Sequence, residues 1–280
     1  MAKASSQKRA RTGPGRPPRR DTPQSPQWLS GIHSVREALR ARRRSIDRLW
    51  LRAGSRREDH QELADLARQA GIRVEEVREE EIEGVAGLDV NPQGVALDAG
   101  PIPEMSLSAL LEWAGGRQSE QKGPGRRLLA LDGVEDPQNV GAVARVAESA
   151  GVSGLILTDR RAPGLTPTVS RASAGAIEWL PVARVGNLGR ALSDLQAASY
   201  WVVAAALEGS RPLFDLEDRI LTGNLAVVLG AEGKGLRPSI MEQADHLVQI
   251  PMRGEIASLN VSTAGAVILY ELLRRAESRG

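Results

Sequence analysis

The sequence predicts an α/β fold whose second half is built on a parallel sheet. Short apolar runs at 128–131, 154–157, 200–206, 225–229 and 247–250 have the length of buried strands. Stretches with apolar residues at helical spacing lie between them, including Val143, Val146, Ala147 and Ala150, and the segment 187–198. Loops rich in Gly and polar residues follow the strand ends at Asp132–Gly141 and Gly230–Leu236, and the carboxyl end of a strand is where open α/β sheets bind ligands.

The chain divides into four parts. Residues 1–27 carry seven Lys or Arg against Asp21 alone, so a chain of net charge +2 leaves residues 28–280 at −4. That tail has almost no large apolar side chains and is expected to be a disordered basic arm suited to a polyanion. Residues 28–100 alternate helix and strand patterns and form a small α/β unit. A helix capped by Ser34 runs through Val35, Ala38 and Leu39, a strand holds Leu49 to Leu51, and a second helix covers 59–70. Nine arginines between Arg36 and Arg57, against Glu37 and Asp47, suit an RNA contact or a solvated helix face equally well. Residues 101–127 contain one helix around 107–113 and a Gly-rich hinge, and are expected to be a linker. A second domain spans 128–280.

Composition excludes several kinds of chemistry. Without cysteine there are no disulfides, thiolate metal sites or cysteine nucleophiles. His33, His60 and His246 lack ligand spacing, so no metal site is expected. No apolar run approaches a membrane span and the start of the chain is not a signal sequence, so a cytoplasmic protein with no membrane association is expected.

Three stretches of the second domain stand out. In the first, Asn139 opens a helix and Arg145 lies six residues on, inside an otherwise apolar stretch where an unpaired charge is costly. Gly230-Ala231-Glu232-Gly233-Lys234-Gly235 can bring backbone close to a ligand, although Gly235 after Lys234 breaks the P-loop pattern. The third stretch, Ile250-Pro251-Met252 through Ser258-Leu259-Asn260-Val261-Ser262, leads into a helix with Gly265, Ile268, Leu269 and Leu272 on one face. Ser258 or Ser262 stands where its cap would be.

In order and spacing these three stretches resemble the motifs of the SpoU or TrmH family of RNA ribose 2′-O-methyltransferases. The segment from Gly31-Ile32-His33-Ser34-Val35 to Asn91-Pro92-Gln93-Gly94-Val95 is similar to the ribosomal-protein-like substrate-binding domain of the 23S rRNA guanosine branch. The resemblance implies a SPOUT methyltransferase domain with a C-terminal trefoil knot, a homodimer, and S-adenosylmethionine as methyl donor. It places the donor against Gly230, Ile250, Met252 and Leu259, and the reaction centre at Asn139, Arg145, Glu232, Ser258 and Asn260. Gln138 departs from the family, which commonly carries a histidine there, and this bears on substrate contacts rather than on the core set.

The function implied is methyl transfer to a ribose 2′-hydroxyl of RNA, most readily a guanosine of 23S rRNA. The family gives Arg145 the role of base, but a guanidinium holds its proton at neutral pH. Arg145 is therefore expected to act as an electrostatic and hydrogen-bonding partner, with Ser258, Asn260 and Asn139 fixing geometry and Glu232 orienting either Arg145 or a guanine edge. The alternatives are a tRNA ribose methyltransferase and a catalytically silent RNA-binding or ribosome-assembly protein.

Overall fold

The computed structural model describes residues 27–87, 90–117, 125–207 and 210–278. Residues 1–26 of the basic tail and 118–124 of the expected hinge lie outside the described residues.

The first unit runs β1 (Gln27–Ser30), α1 (Ile32–Ala41), β2 (Ile46–Arg52), α2 (Glu58–Gln69), β3 (Arg73–Val77), α3 (Glu79–Ala86) and β4 (Val95–Ala99). Its sheet has the order β1-β4-β2-β3, antiparallel except for the parallel β2–β3 pair. Alternate strand residues Leu29, Leu49, Leu51 and Leu97 meet Val35, Leu39, Leu63 and Ala67 of α1 and α2 in one core. On the side that α1 and α2 do not cover, α3 buries Ile82 completely and contacts β1, β2 and β4, which makes a three-layer sandwich. Ser34 does not cap α1. It is buried inside the helix, which starts at Ile32, and the Ile32 N–H donates to Gln93 Oε1 at 3.0 Å. A side chain brought back by the fold replaces the local cap.

The second unit contains β5 (Glu104–Met105), α4 (Leu107–Arg117), β6 (Arg127–Asp132), α5 (Pro137–Ser149), β7 (Gly154–Thr158), α6 (Pro167–Ala172), β8 (Val182–Val185) and α7 (Leu188–Ala197). It continues through β9 (Tyr200–Ala205), β10 (Arg211–Pro212), α8 (Asp218–Thr222), β11 (Asn224–Gly230), α9 (Pro238–Gln243), β12 (His246–Gln249) and α10 (Val261–Glu277). The strands form one parallel sheet in the order β10-β12-β9-β11-β6-β7-β8-β5.

Both faces of this sheet are covered, which explains why its strands read as unbroken apolar runs. In β6, Leu129 and Leu131 enter the core that contains Val140, Val143, Ile268 and Leu272, while Leu128 and Ala130 enter the opposite core with Leu110, Leu188 and Leu192. The segment expected as a linker belongs in part to this unit. β5 pairs with β8, and Leu110 of α4 is fully buried at Gly154, where a Cβ would lie 3.2 Å from Leu110 Cδ2.

The two units meet in a polar contact with a dry centre at Glu178 and an exposed rim at Trp179. Arg44 donates from Nε and Nη2 to the two oxygens of Glu178, at 3.0 and 2.9 Å, with both side chains 1 % exposed. Ser170 Oγ donates to the same carboxylate at 2.8 Å, Arg44 Nη1 to Gly100 O at 3.0 Å, and Trp179 Nε1 to Glu37 Oε2 at 2.8 Å. Burial pushes the Glu178 carboxyl above its ordinary range, and Arg44, Ser170 and Arg43 pull it back.

Candidate active site

The carboxyl ends of β6 and β11 lie side by side, with Asp132 paired to Gly230 in the parallel register. The loop after β6 turns into α5 through Asp136, whose side chain accepts from Gln138 N at 3.0 Å, with Pro137 at the first helical position. This cap sets Asn139 in the first turn of α5, half-buried beside the sheet edge.

The turn after β11 is tight. Gly235 N donates to Ala231 O at 2.8 Å, and Gly233 and Gly235 take φ of +73° and +62°, which suit glycine. At Gly230 a Cβ would overlap the Gly235 carbonyl and lie 2.6 Å from Leu236 N, so no side chain fits there. The turn is strapped down by Asp132, 3 % exposed, which accepts from Arg237 N at 3.0 Å and Nε at 2.7 Å and forms an ion pair with its Nη2 at 2.6 Å. Sequence reading missed this strap. Its signal was an acid ending an otherwise apolar strand.

Asn260, and neither Ser258 nor Ser262, caps α10. Its Oδ1 accepts from Ser262 N at 2.8 Å and Ser262 Oγ at 2.6 Å, because the amide oxygen of Asn reaches the orphan N–H two residues on. With Oδ1 committed to the cap, its Nδ2 donates to Asn139 Oδ1 at 3.0 Å and to Glu232 Oε1. One amide thus joins the first helix turn after β6, the turn after β11 and the start of α10.

Beside this cluster opens a cleft of about 680 Å³. Gly230, Ile250, Met252 and Leu259 line it, as do Glu232, Ser258 and Asn260. Its apolar wall is completed by Leu229 and Ile268, and Gly265 brings α10 within 3.1 Å of Leu229 Cδ1, measured from the position of a Cβ.

Arg145 is not joined to the cluster. It is exposed on α5 and makes no side-chain hydrogen bond or ion pair with a described residue. The apparent charge in an apolar stretch has a simple origin. Val140, Gly141, Val143, Ala144 and Ala147 are buried, while Arg145 falls on the opposite stripe of the helix, seven residues after exposed Gln138 and four before exposed Ser149. Glu232 accepts from Asn260 and makes no hydrogen bond or ion pair with Arg145.

Comparisons with known proteins cover both units. Residues 126–270 match the model of the SpoU rRNA methylase family, and residues 28–105 match the module described as RNA 2′-O ribose methyltransferase substrate binding. A 23S rRNA (guanosine-2′-O-)-methyltransferase RlmB of Ralstonia nicotianae is 38 % identical over 88 % of this chain and 95 % of its own length. A putative TrmH family tRNA/rRNA methyltransferase, YacO of Bacillus subtilis, is 34 % identical over 89 % of this chain and 95 % of its own. The crystal structure of an AdoMet-bound rRNA methyltransferase from Sinorhizobium meliloti superposes with a TM-score of 0.69 at 26 % identity, covering 89 % of this chain and 87 % of that one. With a family model matched across its parallel-sheet unit and relatives aligned along both units, the chain belongs to the SpoU rRNA methylase family.

Proposed function

We propose that this chain methylates the ribose 2′-hydroxyl of a guanosine in 23S rRNA, using S-adenosylmethionine. The observation that carries the reading is Asn260, which gathers Asn139 and Glu232 from two other segments at the edge of the cleft. The substrate follows the Ralstonia relative, and the donor follows the bound structure from Sinorhizobium.

The residues present fit such a donor. The cleft combines an apolar wall at Leu229, Ile250, Met252 and Leu259 with a glycine turn in which Gly230 leaves backbone, and no side chain, at the surface. That pairing suits an adenosine with an aliphatic arm. Bound there, S-adenosylmethionine supplies an electrophilic methyl group.

The chain's own residues then position the acceptor. Asn139, Glu232 and Asn260 are locked to one another, so they hold their orientation without rearranging during the reaction. Ser258, exposed on the loop lining the cleft, is the residue we assign to fixing the ribose. Arg145 is free to meet the anion, either the developing charge on the 2′-oxygen or an adjoining phosphate, and it remains protonated throughout, so the hydroxyl proton passes to water at the open cleft as the demethylated thioether leaves. Alignment of oxygen and methyl at about 3 Å supplies a large part of the rate enhancement.

The same reading includes a trefoil-knotted C-terminal region, a homodimer, and a cytoplasmic enzyme with no membrane association. Among the described residues no helix is long and apolar enough to cross a membrane. The second reading is tRNA ribose methylation, favoured by the printed name of the Bacillus relative. Labelled S-adenosylmethionine with separate pools of unmodified 23S rRNA and tRNA, followed by nucleoside analysis, tests both. Label on 2′-O-methylguanosine from 23S rRNA is expected. Label in tRNA moves the substrate, and tight RNA binding without label points to a silent RNA-binding protein.

A further inference from the structure

From the turn that follows β7 we infer a second RNA contact, in which Arg160 and Arg161 grip the phosphate backbone of the substrate strand beside the methylation site. The inference rests on the reading of the chain as an RNA methyltransferase and adds a surface to it.

The turn lies at the right edge of the sheet. β7 pairs in parallel with β6, with Leu128 opposite Gly154 and Ala130 opposite Ile156. Continuing that register sets Thr158 level with Asp132, one strand spacing away, or about 4.8 Å. Arg160 and Arg161 therefore leave the sheet on the same edge as Asn139, one connection over.

The turn is also built rather than loose. Arg184 of β8 donates from Nη1 to Thr158 O at 3.0 Å and from Nη2 to Pro163 O at 3.2 Å, so one guanidinium ties both ends together. Glu104 of β5 holds that guanidinium at 2.6 Å. Inside the turn, Thr158 Oγ1 donates to Arg160 O, Asp159 N donates to Val185 O at 2.9 Å, and Leu165 is buried. Arg161 takes φ of +61°, a conformation that a long side chain adopts only where its surroundings impose it.

What this framework presents is charge. Arg160 and Arg161 are both exposed, and neither makes a side-chain hydrogen bond or ion pair with a described residue. The adjacent Asp159 carboxylate is turned toward Gly186, where a Cβ would lie 3.5 Å from Oδ2. Other arginines are already committed: Arg184 at the same turn to Glu104, and elsewhere Arg237 to Asp132 and Arg44 to Glu178. Two uncommitted guanidiniums on a rigid turn form a charged fork suited to the phosphates of an RNA strand, since planar guanidinium matches phosphate in a bidentate fashion. Such a contact positions the strand without reading its sequence.

The test is the salt dependence of RNA binding. Affinity of the full chain for a 23S rRNA fragment is measured by fluorescence anisotropy across a potassium chloride series. Wild type is compared with the double variants Arg160→Ala/Arg161→Ala and Arg160→Lys/Arg161→Lys. Each lost phosphate contact lowers the slope of log affinity against log salt by about 0.7–0.9, so the alanine pair should lose about 1.4–1.8 and the lysine pair much less. In methyl transfer the alanine pair should raise KM for RNA and leave kcat at saturating RNA near wild type. An unchanged slope in the alanine pair, or no RNA binding by wild type, overturns the proposal. Wild type that binds RNA but transfers no methyl group defeats the function reading while leaving the slopes readable.

Discussion

Two polar clusters in this molecule use similar groups in opposite ways. Between the units, Arg44, Glu178 and Ser170 are sealed from water, with the ion pair 1 % exposed. At the sheet edge, Asn139, Glu232 and Asn260 form an equally connected set, but Glu232 and Asn260 are exposed and border an open cleft. The first cluster holds its charges where a lost partner is costly, while the second holds donors and acceptors where a substrate can reach them. Burial separates scaffold from site here more clearly than residue type does.

The largest expected effect comes from opening the sealed cluster. Glu178→Ala leaves Arg44 buried without its carboxylate and should cost about 3–5 kcal/mol, read from chemical unfolding of the whole chain. Glu178→Gln, which keeps the shape and the Ser170 bond, should cost less. A loss below about 1 kcal/mol for the alanine variant would mean that water reaches this contact.

Next in size is the exposed cluster, where the effect should fall on rate instead. Asn260→Ala removes both the cap and the two donated hydrogen bonds. It should lower methyl transfer about 10²–10³-fold, while the lost cap costs about 1 kcal/mol of stability. Arg145→Ala should reduce turnover with donor affinity unchanged, and its unfolding free energy should stay within about 0.5 kcal/mol of wild type, because the side chain is exposed and unpartnered among the described residues. Unaltered turnover would remove Arg145 from the reaction centre.

A group of intermediate burial sharpens the contrast. His246 accepts at Nδ1 from Arg211 Nη2, and burial first, then Arg211, holds its imidazole below the ordinary 6.5. The folded state therefore favours the neutral ring. The stability this contributes is present above the unfolded value of 6.5 and is lost as pH falls through the folded value. Unfolding midpoints followed downward from pH 7.5 should fall slightly, and His246→Gln should flatten that part of the profile.

Much of this arrangement is legible from local pattern. The strands of the parallel sheet announce themselves because burial on both faces leaves no polar alternation, as in Leu128 to Leu131. The lining positions Gly230, Ile250, Met252 and Leu259 came from resemblance, not from periodicity. What sequence hid were mostly long-range partners: Gln93 replaces Ser34 at the start of α1, and Glu178 looks like a stray acid in an apolar run until Arg44 meets it from the other unit. The cap of α10 is local, but three adjacent candidates compete for it and Asn260 takes it from two serines. Part of the expected linker joins the sheet for a similar reason, since pairing of β5 with β8 depends on a strand nearly eighty residues downstream.

The most direct measurement is single-turnover methyl transfer by Asn260→Asp at saturating S-adenosylmethionine and 23S rRNA, paired with its unfolding curve. The carboxylate preserves an oxygen for the Ser262 cap but gives up donation to Asn139 and sets a like charge against Glu232. A rate about 10²-fold or more below wild type, with an unfolding midpoint close to wild type, is the predicted result. Wild-type rate with the Asn139–Glu232 link removed would show that this cluster only supports the loop, and would contradict its place in the chemistry.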